Sequence, residues 1–319
     1  MGKDKKQHYI PQCYLRLFSD DQKHIWTFDK KKGSEYSSTI TDVCTKNDFY
    51  TISEEYVESN EGVSPLSLEK DFFADWYEPK FSEYLQTINY LAIEAINSSH
   101  NIISLNDEQK FSFAKLLAIQ WFRLPSIKYD NEATFDEFMP KVMRLFKEGL
   151  AKEMDNPNIA KLDVRASIAD KSVYHAKNTF LKEELVGKYA AELSKNIWTF
   201  SFSKDGDFYT SDFPITVNAH EKNVRPICQG LAQYGAEVTY PLSKNLALTI
   251  WDKEYFVDKD KNDLSLCTAT PKEIRAFNAL RYAYAQRQLF SYKNNFEVVK
   301  YMTQFCPISL NPFKTIDYV

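Results

Sequence analysis

The sequence predicts an α+β fold: an N-terminal β-hairpin, a central helical bundle, and a C-terminal, mostly antiparallel sheet with a closing helix. Apolar residues alternate in short runs near the start of the chain, recur at helical spacing from residue 66 to residue 194, and alternate again from residue 196. Strands and helices are therefore segregated, which marks α+β rather than α/β architecture. A composition of 44% hydrophobic and 15% aromatic residues supplies a packed core and argues against disorder. The 319 residues suit a single α+β domain over 1–319, with 1–195 (hairpin plus helices) and 196–319 (sheet plus helix) as subdomains where it divides.

The stretch "KKQHYIPQCYLRLFSD" lies at residues 5–20. Pro11 suits the first position of a helix, and Ile10 before it is pushed toward extended backbone. A short helix over 11–18 groups Tyr14, Leu15 and Phe18. Gln12 and Arg16, four apart, share another side, and His8 sits just outside the helix start. "HIWTFDKKKGSEYSSTITDV" reads as two strands around a Lys-Lys-Lys-Gly turn, with the lysines as a solvated tip. "KNDFYTI", residues 46–52, reads as a third short strand. Residues 66–97 follow helical spacing, with a kink or break at Pro79. Residues 107–123 form the clearest helix. Asn106 and Ser104-x-x-Asp107 offer capping chemistry, Pro125 stops the helix, and the wheel buries Leu117 and Trp121 while exposing Lys110 and Lys115.

Helices are expected over 132–154 and 165–194, around the loop "DNPN". "NIWTFSFSKDGDFYTSDFPITV" then alternates like a hairpin with Asp-Gly at its turn, and "AEVTYPLSKNLALTIWD" holds two more strands. A helix over 271–290 has Pro271 near its start, and "NNFEVVKYM" reads as a last strand.

Several chemistries are disfavoured. A net charge of −4 does not build a whole-surface phosphate-binding field, although it leaves room for a local basic groove. Cys13, Cys44, Cys228, Cys267 and Cys306 are odd in number and never form C-x-x-C, which argues against a zinc ribbon or a disulfide framework and fits reduced thiols in a cytoplasmic protein. The first residues lack the apolar stretch of a signal peptide, and no run of 18 apolar residues occurs, so a soluble chain without a membrane partner is expected. The 8 glycines form neither G-x-G-x-x-G nor G-x-x-x-x-G-K-[ST], which disfavours NAD and a P-loop nucleotide as cofactors. G-x-S-x-G and H-E-x-x-H are also absent.

Four phrases carry a family resemblance: "QHYIPQCYLRLFS" at 7–19, "IQWFRLPS" at 119–126, "FYTSDFPI" at 208–215 and "YPLSKNLAL" at 240–248. Together with Asn278 in the last helix, they run across nearly the whole chain. In this order they resemble the domain of unknown function 4238, whose members typically open with His-Tyr-Val-Pro-Gln-x-Tyr-Leu-Arg-x-Phe. Leu124 stands where the family usually has Thr, and Phe213 where it has Asn. The resemblance implies a bacterial or phage-related protein of unestablished activity and supplies no catalytic residue.

The residues themselves nominate a site. His8 titrates near neutrality and suits acid/base work or metal ligation. Gln12 and Arg16 stand beside a helix N-terminus, where an anion can bind. Arg123, at the flank of an apolar helical face, suits an anion clamp. Asp212, at a strand end, suits acid/base or metal chemistry, and equally a turn. Glu237 is a second carboxylate, and with Asp212 the candidate metal ligand, so a divalent cation is the one cofactor left open. An Asp…Glu-x-Lys nuclease pattern fails, because Thr239 occupies the Lys position. His24, His100, His175 and His220 show no metal spacing.

The expectation is that His8, Gln12, Arg16, Arg123 and Asp212 converge, with His8 and Asp212 catalytic and the others binding substrate. The leading function is a toxin-like or host-defence nuclease or phosphodiesterase acting on a phosphate-bearing substrate, with nucleic acid or a nucleotide as partner. The alternative is a non-catalytic module that recognises nucleic acid, nucleotide or protein, and whose motif residues hold the fold together.

Overall fold

A computed structural model describes residues 6–221, 230–307 and 309. The chain enters as β1 (Lys6–His8) and turns at Pro11 into α1 (Gln12–Leu15), which tightens into a 3-10 turn over Arg16–Phe18. The hairpin follows as β2 (His24–Asp29) and β3 (Ser34–Thr39). Its turn is closed by Asp29 Oδ1, which accepts from the Lys31 and Lys32 N–H groups, and by Gly33 at φ +62°. β4 (Thr45–Asn47) pairs antiparallel with β1. The strand expected over 46–52 stops at Asn47. Asp48 adopts φ +53°, and the Tyr50 N–H donates to the Gln7 side chain instead of a neighbouring strand.

After α2 (Glu54–Glu58), capped by Ser53, the chain forms a ten-residue π-helix over Leu68–Tyr77 that runs directly into α3 (Glu78–Asn97). Pro79 therefore marks a change of helical register rather than a break. It has no N–H for an i→i−4 bond, so it fits the first turn of the new helix. α4 (Asp107–Phe122) carries the capping box expected at Asn106, completed by Gln109. Its Lys110 is buried, contrary to expectation. The ammonium donates to the Asn196 carbonyl at 2.8 Å and to Asp263 at 2.9 Å, and so ties α4 to the sheet. Lys115 is half-buried.

α5 (Pro125–Glu153) begins seven residues earlier than expected, because Pro125 opens it. The helix expected over 165–194 is two, α6 (Lys171–Asn178) and α7 (Glu183–Lys195). Among the described residues no helix is long and apolar enough to cross a membrane.

The C-terminal part supplies β5 (Ile197–Phe202), β6 (Thr210–Ser211), β7 (Thr216–Ala219), β8 (Ala236–Pro241), β9 (Leu246–Trp251), β10 (Ser265–Thr268), α8 (Pro271–Tyr284), β11 (Gln288–Ser291) and α9 (Glu297–Phe305). A five-stranded sheet has the order β10-β5-β9-β8-β7 and is antiparallel except for β10–β5. A four-stranded sheet has the order β3-β2-β11-β6, so the N-terminal hairpin shares a sheet with strands from beyond residue 196.

Two expectations fail here. β5 and β6 do not pair as a hairpin, because β5 pairs with β9 and β10 while β6 joins the other sheet. "NNFEVVKYM" is helix α9 rather than a strand. Its Val299 joins Phe28 and Phe296 in one buried cluster, and Phe296 and Val299 stand at the i, i+3 spacing of a helix. The expected helix over 271–290 ends at Tyr284 and gives way to β11.

The main core gathers side chains from α1, the π-helix, α3, α4 and α7 onto the inner face of the five-stranded sheet. Trp198 of β5 is wholly buried and meets Phe113 of α4 edge-on at 6.0 Å. Trp121, 4% exposed, packs edge-on against Phe213 at 5.5 Å. Trp121→Ala is expected to destabilise the protein by about 3–5 kcal/mol through the cavity it leaves. Chemical denaturation measures this, and an unchanged midpoint would contradict the packing.

His175 of α6 is 1% exposed. Its Nε2–H donates to the Phe122 carbonyl at 2.8 Å, and Nδ1 accepts from Asn131 at 3.2 Å. Burial, with Lys128 nearby, pushes its pKa down from 6.5 to about 3. The unfolded chain then binds the extra proton, so this contribution is complete above pH 6.5 and is lost as pH falls toward 3. Stability measured from pH 7 to pH 4 should decline across that window, and His175→Gln should flatten the decline.

Candidate functional site

Three segments far apart in sequence build the site: β1 with α1, the π-helix with the start of α3, and the end of α4. On the N-terminal segment, Arg16 Nη2 donates to Gln12 Oε1 at 3.0 Å, and Gln12 Nε2 donates to His8 Nδ1 at 3.5 Å. These contacts follow from the four-residue spacings along α1 and its entrance. His8 Nε2 donates to the Ile40 carbonyl at 3.3 Å. That bond places the ring proton on Nε2 and leaves Nδ1 as the basic nitrogen. Burial lowers the His8 pKa, opposed by the Ile40 carbonyl, and the neutral ring prevails near pH 7.

Behind this segment lies Arg123, the C-cap of α4, with no exposed surface. Its Nη2 donates to the His8 carbonyl at 2.5 Å and to Glu78 Oε1 at 2.8 Å, and its Nε donates to the Tyr50 hydroxyl at 3.3 Å. The guanidinium lies 4.1 Å from the centre of the Phe73 ring. Burial alone would lower its pKa, but Glu78, Tyr50 and Glu69 together raise it, so the cation is secure. Nη1 is buried without a hydrogen-bond partner among the described residues. Glu69 faces the same guanidinium. Burial pushes its carboxyl up to about 7, with Arg123 pulling the other way, and its Oε2 is likewise buried with no hydrogen-bond partner among the described residues. Glu69, Phe73 and Glu78 stand four and five residues apart, and the wide π-helical turn presents all three to Arg123. Cys13 beside Glu78 is no nucleophile near neutrality, because burial raises its thiol to about 12.

The structure brings together His8, Gln12, Arg16 and Arg123. It does not present Arg123 to solvent as an anion clamp; the side chain holds the backbone of the N-terminal segment and a carboxylate. Asp212 stands apart from this group. It is 3% exposed, and its carboxylate accepts from the N–H groups of Gln286 (2.9 Å), Arg287 (2.7 Å) and Gln288 (2.9 Å). The local turn is made instead by Ser211, whose hydroxyl accepts from the Phe213 N–H and donates to the Phe213 carbonyl. Asp212 lines a polar groove of about 530 Å³ together with Tyr9, Lys46 and Arg287, so the HYIPQ and TSDFP phrases meet across it.

Glu237 lies elsewhere, on β8, and accepts from His220 at 2.7 Å and Asn218 at 3.2 Å. Asp212 and Glu237 share no metal-binding group, and among the described residues no cluster of three or more His, Cys, Asp or Glu is arranged to hold a metal ion. Cys228 lies outside the described residues.

Glu69, Glu78 and Tyr50 escaped the sequence reading. The only signal was carboxylates set within the apolar stretch 68–78, which an ordinary helical wheel assigns to solvent.

Burial raises the Asp212 pKa to about 6, against the pull of its three N–H donors. Asp212→Asn replaces an oxygen that accepts N–H bonds with an amide that donates. It should therefore cost about 1–3 kcal/mol by leaving buried N–H groups without acceptors. An Asn variant as stable as wild type would show that the three bonds contribute nothing.

No curated protein and no solved structure matches the chain. One family model matches residues 6–295, nearly the whole of the architecture described above, and the chain belongs to that family, Protein of unknown function (DUF4238).

Proposed function

We propose that the His8 site is an acid–base centre acting on a phosphate-bearing substrate, with phosphodiester cleavage as the reaction. One observation carries this reading: the basic Nδ1 of a neutral histidine is held only by a long contact to Gln12, which is itself held by the exposed Arg16. A bound water can replace that contact. His8 Nδ1 then takes the water proton as oxygen attacks phosphorus, and the imidazolium so formed gives that proton to the departing oxygen as the P–O bond breaks. Arg16 meets the phosphate from the solvent side. Arg123 acts behind them as a positioning residue for His8 and Glu78. A nucleic acid or nucleotide is the proposed partner, and a toxin-like or host-defence role in the cytoplasm is the biological setting that fits such an activity.

The buried state of Arg123 and Asp212, both committed to backbone groups, favours a second reading: a recognition module for nucleic acid, nucleotide or protein that cleaves nothing.

The test uses the full chain with bis(p-nitrophenyl) phosphate and single-stranded RNA and DNA. Cleavage is expected, and His8→Gln should lower kcat by about 10²–10⁴-fold at unchanged melting temperature. The rate should fall on the acid side as His8 is protonated. Binding without cleavage would favour the recognition module, and absence of both would overturn the proposal.

A further inference from the structure

The outer face of the five-stranded sheet carries one hydroxyl residue per strand in exact cross-strand register. Ser265 of β10 faces Thr199 of β5, Thr199 faces Thr249 of β9, Thr249 faces Thr239 of β8, and Thr239 faces Thr216 of β7. Neighbouring strands lie about 4.8 Å apart, so the row is an evenly spaced ladder. It arises from alternation in "IWTFSF", "AEVTYP" and "LALTIW", whose other faces build the core.

Helix α8 crosses this face. A helix packed on a sheet normally meets apolar side chains. Here Arg281 of α8 reaches the sheet and donates to the Thr216 and Thr239 hydroxyls and to the Thr239 and Pro214 carbonyls, sealing one end of the ladder. The rest lies open in a cleft of about 520 Å³ between α8 and the sheet. The hydroxyls of Ser201, Thr249 and Ser265 line it, half-buried and with no hydrogen-bond partner among the described residues. Half-exposed hydroxyls of this kind are met by water, which the hydroxyls of a ligand can replace.

The cleft walls define what that partner is. Phe277 and Trp251 offer apolar ring surface. Glu237 stands in the next row, in register with Trp251; its Oε2 accepts from His220 and Asn218, and Oε1 is the acceptor left to a ligand. Of the cations nearby, Arg281 is wholly buried on its four oxygens, and Lys259, over the Trp251 ring at 4.3 Å, is outnumbered in the lining by the carboxylates of Glu237 and Glu273. What faces a ligand is therefore a row of neutral hydroxyls, a carboxylate and aromatic surface.

We propose that this cleft binds a neutral, hydroxyl-rich ring, whose hydroxyls bond the ladder and Glu237 while its C–H face packs on the aromatic wall. Such a ring comes either as a saccharide or as the ribose of a nucleoside. The inference is independent of the His8 site.

The experiment is titration calorimetry of the full chain with neutral mono- and disaccharides in one arm and nucleosides in the other. At least one compound should saturate with Kd of roughly 1 mM or tighter, and the arm it belongs to identifies the source of the ring. Thr249→Val removes one ladder hydroxyl without changing shape and should weaken binding about tenfold, whereas Thr249→Ser should retain it. Ser201→Ala serves the same purpose should Thr249→Val fail to fold. Saturation by no compound, tighter binding of a phosphorylated sugar than of its neutral parent, or binding indifferent to these substitutions would each overturn the proposal.

Discussion

The buried guanidinium of Arg123 is the interaction on which the N-terminal half depends. One side chain joins the carbonyl of His8 in the entering strand, the carboxylate of Glu78 where π-helix becomes α-helix, and the hydroxyl of Tyr50 in the segment after β4. These segments would otherwise have to be aligned by apolar contact alone, which is non-directional. Taking a guanidinium out of water costs several kcal/mol, and only good geometry to an opposite charge offsets it. Glu78 supplies the charge, and the face of Phe73 supplies a site for a weakly hydrated cation. The arrangement tolerates little variation: lysine has neither the planar fork nor the reach to three partners at once.

The same logic recurs in the other half with different partners. Arg281 of α8 reaches back to the Pro214 carbonyl and the Thr216 hydroxyl, while Asp212 accepts from the backbone just past the end of α8. Segment 210–216 is thus bound to the α8–β11 connection from both sides. Lys30 adds the hairpin to this junction by donating to the Tyr282 and Ala285 carbonyls at 2.9 Å, and Arg287 bonds Asp29. With no carboxylate partner, Arg281 has its pKa lowered by burial to about 9, the opposite of Arg123. Arg123 and Asp212, both singled out in the sequence, are bonded here to backbone groups of distant segments and so join parts of the fold. Phe213 and Leu124, the two departures from the family phrases, are both core residues beside these joints.

What was legible in the sequence follows from how local each determinant is. The hairpin over 24–39 was visible because its turn and alternation lie within twenty residues, and α4 because its cap and stop signal adjoin it. Lys110 was misplaced because its partner Asp263 lies 153 residues away, and a helical wheel carries no such information. β5 and β6 looked like a hairpin because an Asp-Gly pair separates them, yet strand partners were chosen across the sheet. The π-helix was illegible for a subtler reason: its apolar pattern differs from that of an α-helix by less than one residue per turn. That small change brings Glu69 and Glu78 to one cation, so half of the candidate site was hidden in it. Gln12, Arg16 and His8 were visible as a group because α1 spaces them.

Two histidines show how differently one fold can hold an imidazole ring. His175 has both ring nitrogens held, at 2.8 and 3.2 Å, with 1% exposure, so protonation would break a satisfied contact with no route for the proton. His8 is anchored at Nε2 by a main-chain carbonyl, but its Nδ1 contact is at the limit of a hydrogen bond. Beyond that contact stand a half-buried amide and an exposed guanidinium rather than core. The fold thus fixes the orientation of the ring through one nitrogen and leaves the other available, which is the arrangement a general base requires. Arg123 contributes without touching that nitrogen, because by gripping the His8 carbonyl it sets the backbone from which the ring projects.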